Sequence, residues 1–297
     1  MINVTKLGGK FFRREIIKNF VNIFLQKETN DKTFFVVSAM EGITRLLHLL
    51  VDAKTGKVEE GFITLIITLC LDEFHRIHLK LIYKLFNNDE LNKVLFGFDK
   101  IFIDLKKTLE DYKNGDNEES FHANVVKFGE LVSSYILFEY LDYAGVDCQL
   151  FDARDYVVSN NDYKNGKVLE IKSFKNLFQK SKVLLTQGFI SRNTKGEDTL
   201  LGLDGSDTSA SEFAIAFKNE GEEVSLTFAK DVRGFFKEDP NKNPNAEISK
   251  QMHLIDYLGL SSHPIRKDAV KMAFENGISV SMKYFIDLEE SDSHIVI

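Results

Sequence analysis

The chain opens with INVTKLGGKFFRREIIKNFVNIF over residues 2–24 and continues with TFFVVSAMEGITRLLHLLV over residues 33–51. Each stretch contains a short apolar strand, then a turn with glycine, then a segment with apolar residues at helical spacing. A strand, a glycine turn and a helix repeated in succession are typical of a parallel sheet with crossover helices. These two stretches therefore predict an α/β fold.

The remaining chain keeps this alternation except between residues 52 and 112, where leucine- and lysine-rich segments predict a helical insertion. The elements predicted elsewhere are strands at 2–7, 33–39, 147–151, 182–186, 224–228, 279–282 and 294–297, and helices at 12–26, 43–51, 124–143, 208–219, 249–258 and 267–276. The polar stretches 111–120 and 159–166 are predicted to be exposed loops.

The composition is that of a globular protein, with 43% hydrophobic and 28% charged residues among 297 and a net charge of −7. The acidic balance argues against nucleic acid as a partner, because such binding needs a dense cationic surface. Cys70 and Cys148 lack metal-ligand spacing and are predicted to be free thiols. The chain has 26 Phe and no Trp, which we interpret as a compositional habit of its source, because Phe can fill core positions that Leu or Trp could also fill.

Membrane targeting is not indicated by the sequence. The N-terminal residues have neither the basic nor the apolar region of a signal peptide. The longest apolar run, residues 61–71, is shorter than the ~20 residues that cross a bilayer. We therefore predict a cytoplasmic protein without membrane contacts.

Three glycine-containing turns suggest a phosphate site. Gly8 and Gly9 follow the first strand, which carries Lys6 near its end; residues 38–44 form the second turn, and residues 202–210 lead into a later helix. Backbone N–H groups at such turns and at helix N-termini bind anions, and these turns would share one crevice if their strands are neighbours. The alternatives are a solvent-facing Lys6 and a capping role for Asp207.

Several motifs, in order, resemble those of the aspartokinases, within the amino-acid kinase family. Residues 4–9 resemble V-x-K-F-G-G, and residues 37–44 resemble V-S-A-M-x-G-V-T. The further matches are residues 128–133 with the G-E-x-x-S helix, 151–154 with D-A-R, 186–190 with T-Q-G-F-I, 205–210 with G-S-D-T-T-A, and the pairs Asp239-Pro240 and His263-Pro264 with two later motifs.

The resemblance implies a three-layer αβα amino-acid kinase fold with a mainly parallel sheet. It implies a single domain over residues 1–297, with an amino-acid-binding lobe at 1–200 and a nucleotide-binding lobe at 201–297. We expect no C-terminal ACT regulatory domain. A homodimer is the family-level expectation.

The activity implied by the resemblance is transfer of the γ-phosphoryl group of ATP to the side-chain carboxylate of L-aspartate, the first step of aspartate-family (lysine) biosynthesis. Mg²⁺ would arrive with the nucleotide, without a metal site on the protein. The implied catalytic residues are Lys6 and Asp207. The substrate-binding residues would be Ser38, Ala39, Thr44, Glu130 and Ser206, with Glu130 accepting the ammonium group. The nucleotide- and phosphate-binding residues would be Gly8, Gly9, Gly205, Asp231 and Phe236, while Thr186 and Gly188 would frame the crevice.

Some positions depart from the family pattern. Lys10 and Phe11 replace the expected Thr-Ser, Leu203 stands where an arginine would hold the substrate α-carboxylate, and Asp204 adds a negative charge. Phe236 replaces a tyrosine, Asn241 an arginine, and residues 259–264 lack the nucleotide-binding lysine.

Two interpretations follow from these departures. In the first, the protein is an active kinase in which other cations replace the lost charges, namely Arg45, Lys10, Lys230 or Arg233. The observation that would help most is whether the side chain of Arg45 or Arg192 points into the crevice toward Glu130 and Asp207. In the second, it is an impaired paralogue that binds a ligand or a partner protein. Retention of Lys6 and Glu130 favours the first.

Overall fold

A computed structural model describes residues 1–26, 31–174, 177–232, 234–236, 243, 246–260, 263–285 and 292–296. The strands are β1 (Ile2–Leu7), β2 (Lys32–Val37), β3 (Cys148–Phe151), β4 (Val157–Ser159), β5 (Val168–Ile171), β6 (Val183–Gln187), β7 (Ile190–Asn193), β8 (Asp198–Leu200), β9 (Val224–Lys230), β10 (Phe235–Phe236), β11 (Ile248–Ser249), β12 (Gln251–His253), β13 (Val280–Tyr284) and β14 (Asp292–Val296). The helices are α1 (Arg14–Gln26), α2 (Ile43–Lys54), α3 (Ile63–Leu85), α4 (Asn88–Asp111), α5 (Glu118–Val126), α6 (Phe128–Tyr143), α7 (Gly205–Asn219), α8 (Leu254–Gly259) and α9 (Lys267–Glu275).

The central sheet has eight strands in the order β12-β14-β13-β9-β1-β2-β6-β3. The six strands from β13 to β3 are parallel, and β14 runs antiparallel to β13. The first two strand-turn-helix units thus lie at the centre, where β1 pairs with both β2 and β9. The predicted parallel sheet is confirmed.

Two phenylalanines of β2 show why the sheet is covered on both faces. Phe34 and Phe35 are consecutive in a strand, so their side chains point to opposite faces. The Phe34 ring lies 4.9 Å from that of Phe217 in α7, and the Phe35 ring lies 5.5 Å from that of Phe20 in α1. All four rings are buried. One helical layer therefore packs on each face, and the predicted three-layer architecture is confirmed.

The stretch predicted as a helical insertion is indeed helical, and it consists mainly of α3 and α4. Helix α3 packs against α2, and α4 packs against α6, so the insertion is joined to the helices beside the sheet. In the described parts of the chain, no helix is both long and apolar enough to traverse a bilayer.

Two of the predicted helices differ from the structure. The helix expected at 249–258 is wrong in its first half, where β12 pairs with β14 and its backbone hydrogen bonds go to the sheet. Only Leu254–Gly259 is helical there. The helix expected at 124–143 is two helices, α5 and α6, which meet at Lys127.

A second, four-stranded sheet in the order β5-β4-β7-β8 was not predicted. Its strands have only three or four residues each, too few for the alternation of apolar and polar residues to be recognised. Ser159, assigned to an exposed loop, is buried in β4 and hydrogen-bonds Thr199 at 2.7 Å. The prediction of a loop beginning at residue 159 is therefore wrong at its first residue.

Candidate active site

The loops that follow β1, β2 and β6 meet at one edge of the central sheet, because these strands are parallel. The Ser38 N–H donates a hydrogen bond to the carbonyl of Leu7 at 3.1 Å, and the Gly188 N–H donates to that of Val37 at 2.8 Å. A cavity of about 450 Å³ opens at this edge. The glycine turns expected to share a crevice do lie together.

The cavity brings together most of the residues predicted for the site. Those that line it are Lys6, Gly9, Ser38, Ala39, Thr44, Glu130, Gly205 and Ser206. Gly8 lies beside the Lys6 ammonium group, since a Cβ at Gly8 would be 3.7 Å from Nζ. Thr186 is fully buried next to the last residue of β6, and Gly188 packs against Ser206, so both lie beside the cavity.

Two glycines hold Ala39 in place. A Cβ on Gly9 would lie 2.5 Å from the Ala39 carbonyl oxygen, and a Cβ on Gly129 would lie 2.8 Å from the Ala39 Cβ. Both distances are far below van der Waals contact, so only glycine allows this approach. The loop after β2 is therefore packed tightly between the loop after β1 and the first turn of α6.

Lys6, Asp207 and Lys230 form a cluster of two cations around one anion. The Lys6 Nζ is 2.9 Å from Asp207 Oδ1, and the Lys230 Nζ is 3.1 Å from Oδ2. The Arg266 backbone N–H also donates to Oδ2 at 3.1 Å. The Asp207 carboxylate thus does not cap α7, and Lys6, only 7% exposed, does not face solvent. Both alternatives weighed for these residues are wrong.

The charged groups of this cluster shift one another's pKa values. Burial alone would raise the pKa of Asp207, but the charges of Lys6 and Lys230 hold it below its usual range. Burial lowers the pKa of Lys230 to about 8, with the charge of Lys6 acting in the same direction and Asp207 opposing. With both lysines protonated the cluster carries a net charge of one cation, so it attracts an anion.

Glu130 is a buried carboxylate in the wall of the cavity, 3% exposed. Its Oε1 accepts a hydrogen bond from the Ala39 N–H at 3.1 Å, while Oε2 is buried with no hydrogen-bond partner among the described residues. Burial raises the pKa of Glu130 to about 8, against the opposing effects of the Ala39 N–H and of Lys6. Oε2 is therefore an acceptor that a bound ammonium group would satisfy.

Arg192 and Arg45, two of the arginines considered in connection with the missing one, do not line the cavity. Arg192 is paired with Asp155 at 2.7 Å and with Asp198 at 3.2 Å, and Arg45 is exposed on α2 and absent from the lining. Leu203, which stands in the expected arginine position, lines the cavity with 84% of its surface exposed. Its carbonyl accepts a hydrogen bond from the Arg266 side chain.

Three predicted residues lie away from the cavity around Lys6. Asp231 pairs with Lys10 at 2.5 Å, both partly exposed, and Phe236 is in β10; neither lines the cavity. Phe11, which stands where the family pattern has a hydroxyl residue, is fully buried and packs on Phe20 at a ring distance of 5.1 Å. The Phe11 substitution therefore adds to the core. Arg233, Asp239, Pro240 and Asn241 lie outside the described residues.

Sequence reasoning missed three basic side chains of the same cavity, His48, His122 and Lys164. His48 lies one helical turn after Thr44 and so on the same face of α2, which is a spacing that points toward the site. Lys164 lies in the polar stretch 159–166, whose composition predicts only an exposed loop. His122 lies seven residues before Gly129 of the G-E motif, and nothing in the sequence distinguishes it.

The amino acid kinase family model matches residues 1–283. Over 257 residues the chain is 29% identical to the chloroplastic bifunctional aspartokinase/homoserine dehydrogenase 1 of Arabidopsis thaliana, covering 84% of this chain and 27% of that protein. It is 28% identical over 184 residues to the aspartokinase of Rickettsia felis, covering 58% of this chain and 44% of that protein. The chain thus spans less than half of the length of either relative.

Solved structures show the same fold. The crystal structure of Escherichia coli aspartokinase III in complex with aspartate and ADP matches with a TM-score of 0.84 at 21% identity, covering 99% of this chain and 64% of that chain. The aspartate kinase of Clostridium acetobutylicum matches with a TM-score of 0.70 at 19% identity, covering 99% and 62%. These matches confirm the predicted resemblance to aspartokinases. Since the family model covers nearly all of the chain and the fold agrees with it, the chain belongs to the amino acid kinase family.

Proposed function

We propose that this chain transfers the γ-phosphoryl group of ATP to the side-chain carboxylate of L-aspartate, giving an acyl phosphate. The observation that carries the proposal is the pairing, across one cavity, of a net-positive Lys6–Asp207–Lys230 cluster with the unsatisfied Oε2 of Glu130. An amino acid bound between them presents its ammonium group to Glu130 and its carboxylate toward Lys6. The aspartokinase relatives support the choice of aspartate.

The chemistry needs no general base. The substrate carboxylate is already deprotonated at neutral pH, so one of its oxygens attacks the γ-phosphorus directly. The bond from the γ-phosphorus to the β,γ-bridging oxygen breaks, ADP leaves with that electron pair, and no proton moves. Catalysis then rests on in-line positioning and on neutralising the charge spread over the transferring oxygens.

The described residues divide these tasks. Lys6, fixed by Asp207, would contact the transferring phosphoryl oxygens, and Lys230 would supply a second positive charge behind it. The Gly8 and Gly9 amides would hydrogen-bond the phosphates, while Ser38, Ala39, Thr44 and Ser206 would position the acceptor between phosphate and Glu130. Asp231 and Phe236 remain proposed nucleotide contacts at a greater distance from Lys6.

Mg²⁺ bound to ATP would neutralise charge on its phosphates. Asp207, the buried carboxylate beside Lys6, is already engaged by Lys6, Lys230 and the Arg266 N–H. This donor set suits a metal held by the nucleotide rather than by the protein. Among the described residues, the carboxylates of Glu90, Glu139 and Asp142 lie close enough together to hold a metal ion, but they are on α4 and α6, outside the cavity, and Lys93 pairs with all three.

A second candidate function is that of an impaired paralogue that binds ligand without turnover. Leu203 in the expected arginine position and the adjacent Asp204 favour it, because both line the cavity and neither attracts a carboxylate. A hydroxylamine-trapping assay with ATP, Mg²⁺ and a panel of acidic amino acids separates the two. We expect an aspartate-dependent hydroxamate with equimolar ADP; binding of aspartate and ADP without either product would establish the second candidate instead.

We predict a bell-shaped pH profile centred near pH 8. Glu130, facing Lys6, must lose its proton to bind an ammonium group, and its pKa is about 8. Lys230, facing Lys6, Asp207 and Asp204, must keep its proton to bind phosphates, and its pKa is also about 8. Thus kcat/KM for aspartate should fall about tenfold per unit well below pH 8, and kcat/KM for ATP should fall above it. Initial rates from pH 6 to 9.5, with circular dichroism as control for folding, test this; a flat profile contradicts it.

Other features stay proposals of the same kind. The division into lobes at residue 200 and the cytoplasmic location are carried over from the sequence. A homodimer is supported by large apolar side chains exposed on α3 and α4, including Leu65, Leu69, Phe96 and Ile103. Sedimentation velocity would give the oligomeric state.

A further inference from the structure

Lys164 is a cation of the cavity whose charge is not already neutralised. It is half-buried and lines the same space as Lys6 and Glu130. Lys6 is paired with Asp207, whereas no carboxylate among the described residues lies within ion-pairing distance of the Lys164 ammonium group. Lys164 is therefore free to pair with an anionic group of a ligand.

The loop that carries Lys164 is fixed beside the loop that carries Leu203. Asp162 Oδ1 accepts hydrogen bonds from the backbone N–H groups of Lys164 at 3.0 Å and Asn165 at 2.8 Å. Asn165 forms a β-bridge with Leu201, and a Cβ on Gly202 would lie 3.0 Å from Asn165 Oδ1. Lys164 thus stands next to the position from which the expected arginine is missing.

Two histidines, His48 and His122, line the same cavity as Lys164 and contact each other. His122 Nε2 and His48 Nδ1 are 2.8 Å apart, and the rings stack with centroids 4.8 Å apart. Partial burial lowers the pKa of His122 to about 4, and the charges of His48 and Lys164 act in the same direction. In the tautomer in which His122 Nε2–H donates to His48 Nδ1, the Nε2–H of His48 remains to donate to a ligand.

We propose that Lys164, assisted by the His48–His122 pair, binds the α-carboxylate of the amino-acid substrate in place of the arginine that Leu203 replaces. This inference rests on the proposed function. It places the three charged groups of aspartate on three different partners: the ammonium on Glu130, the side-chain carboxylate near Lys6, and the α-carboxylate on Lys164. Asp204, which also lines the cavity, disfavours an anion placed closer to α7.

The test compares L-aspartate with its α-amide, L-isoasparagine, which keeps the ammonium group and the side-chain carboxylate but lacks the α-carboxylate charge. The variants are Lys164→Met, Lys164→Arg and, as matched control, Lys167→Met, an exposed lysine of the same loop outside the cavity. Dissociation constants come from calorimetry, and KM and kcat from ADP release.

We expect Lys164→Met to raise the Kd and KM for aspartate about 10- to 100-fold, the range for a hydrogen bond to a charged group, with kcat little changed. The same variant should leave L-isoasparagine binding unaltered, Lys164→Arg should stay close to the unmodified protein, and Lys167→Met should match it. A Lys164→Met variant that keeps full aspartate affinity, or that weakens both ligands equally, overturns this inference alone. If the unmodified, folded protein neither binds nor phosphorylates aspartate, the proposed function falls, and this inference falls with it.

Discussion

Replacing Lys6 with methionine is expected to lower kcat about 10³-fold, which is the scale seen when an electrostatic stabiliser of a transition state is removed. Lys6 is the buried cation of the cavity wall and its Nζ lies beside Gly8, at the end of β1 where the phosphates would bind. Binding of ADP should weaken much less than turnover, because the glycine-turn amides and Lys230 remain.

The Lys6→Met variant should fold normally. Asp207 keeps Lys230 at 3.1 Å and the Arg266 N–H at 3.1 Å, so no buried charge is left unpaired. Removing Lys6 also removes the repulsion that lowers the pKa of Lys230. The matched control is Lys32→Met, a lysine at the start of β2, at the opposite edge of the sheet, paired with Glu222. Turnover in Lys6→Met within tenfold of the control would contradict the proposed role.

Replacing Glu130 with glutamine should raise the KM for aspartate about 100-fold, because one partner of a buried charge pair is lost, a change worth ~2–5 kcal/mol. The affinity for ADP should be unchanged, and kcat should change less than KM, since the interaction is made in the ground state as well. Steady-state kinetics with aspartate and calorimetry with ADP measure these effects.

The same variant has a distinct effect on stability. Folded Glu130 holds its proton up to about pH 8, whereas the unfolded chain releases it near pH 4.5. Burial of the carboxylate therefore costs more free energy as pH rises from 4.5 to 8, and Glu130→Gln should unfold at a higher temperature than the unmodified protein at pH 8.

Glu139→Gln, on the same helix but paired with Lys93, is the control for the predicted change in KM. An unchanged KM in Glu130→Gln would rule out the ammonium-binding role.

The sequence was sufficient for β1 and β2 at the centre of the sheet, because both strands end at turns that contain glycine and are followed by helices. The turn residues Lys6, Gly8 and Gly9 and the loop from Ser38 to Thr44 could be placed together for a general reason: parallel strands bring their carboxyl ends to one edge. Glu130 followed from its motif. The lack of a hydrogen-bond partner for Glu130 Oε2 among the described residues could not be predicted, because it depends on how the residues around Glu130 pack.

The remainder depends on contacts between residues distant in sequence. Lys230 joins Asp207 through the pairing of β9 with β1, and Lys164 reaches the cavity through the small sheet, whose three- and four-residue strands carry no recognisable period. The direction of Phe11 is likewise set by the aromatic side chains around it. A β-strand pairing such as that of β12 with β14 outweighs a helical pattern of a few residues.

The close packing of Gly9 and Gly129 against Ala39 limits which side of the proposed site could move. Gly9 in the proposed phosphate-binding turn lies against the backbone of the proposed acceptor-binding loop, and Gly129 in the first turn of α6 lies against the Ala39 side chain, so these three segments have little room to move relative to one another. On the opposite side of the cavity, Gly202 and Asp204 have positive φ angles and the Leu203 side chain is exposed to solvent. If the proposed transfer requires the cavity to close, we therefore expect the segment before α7 to move toward the Glu130 side.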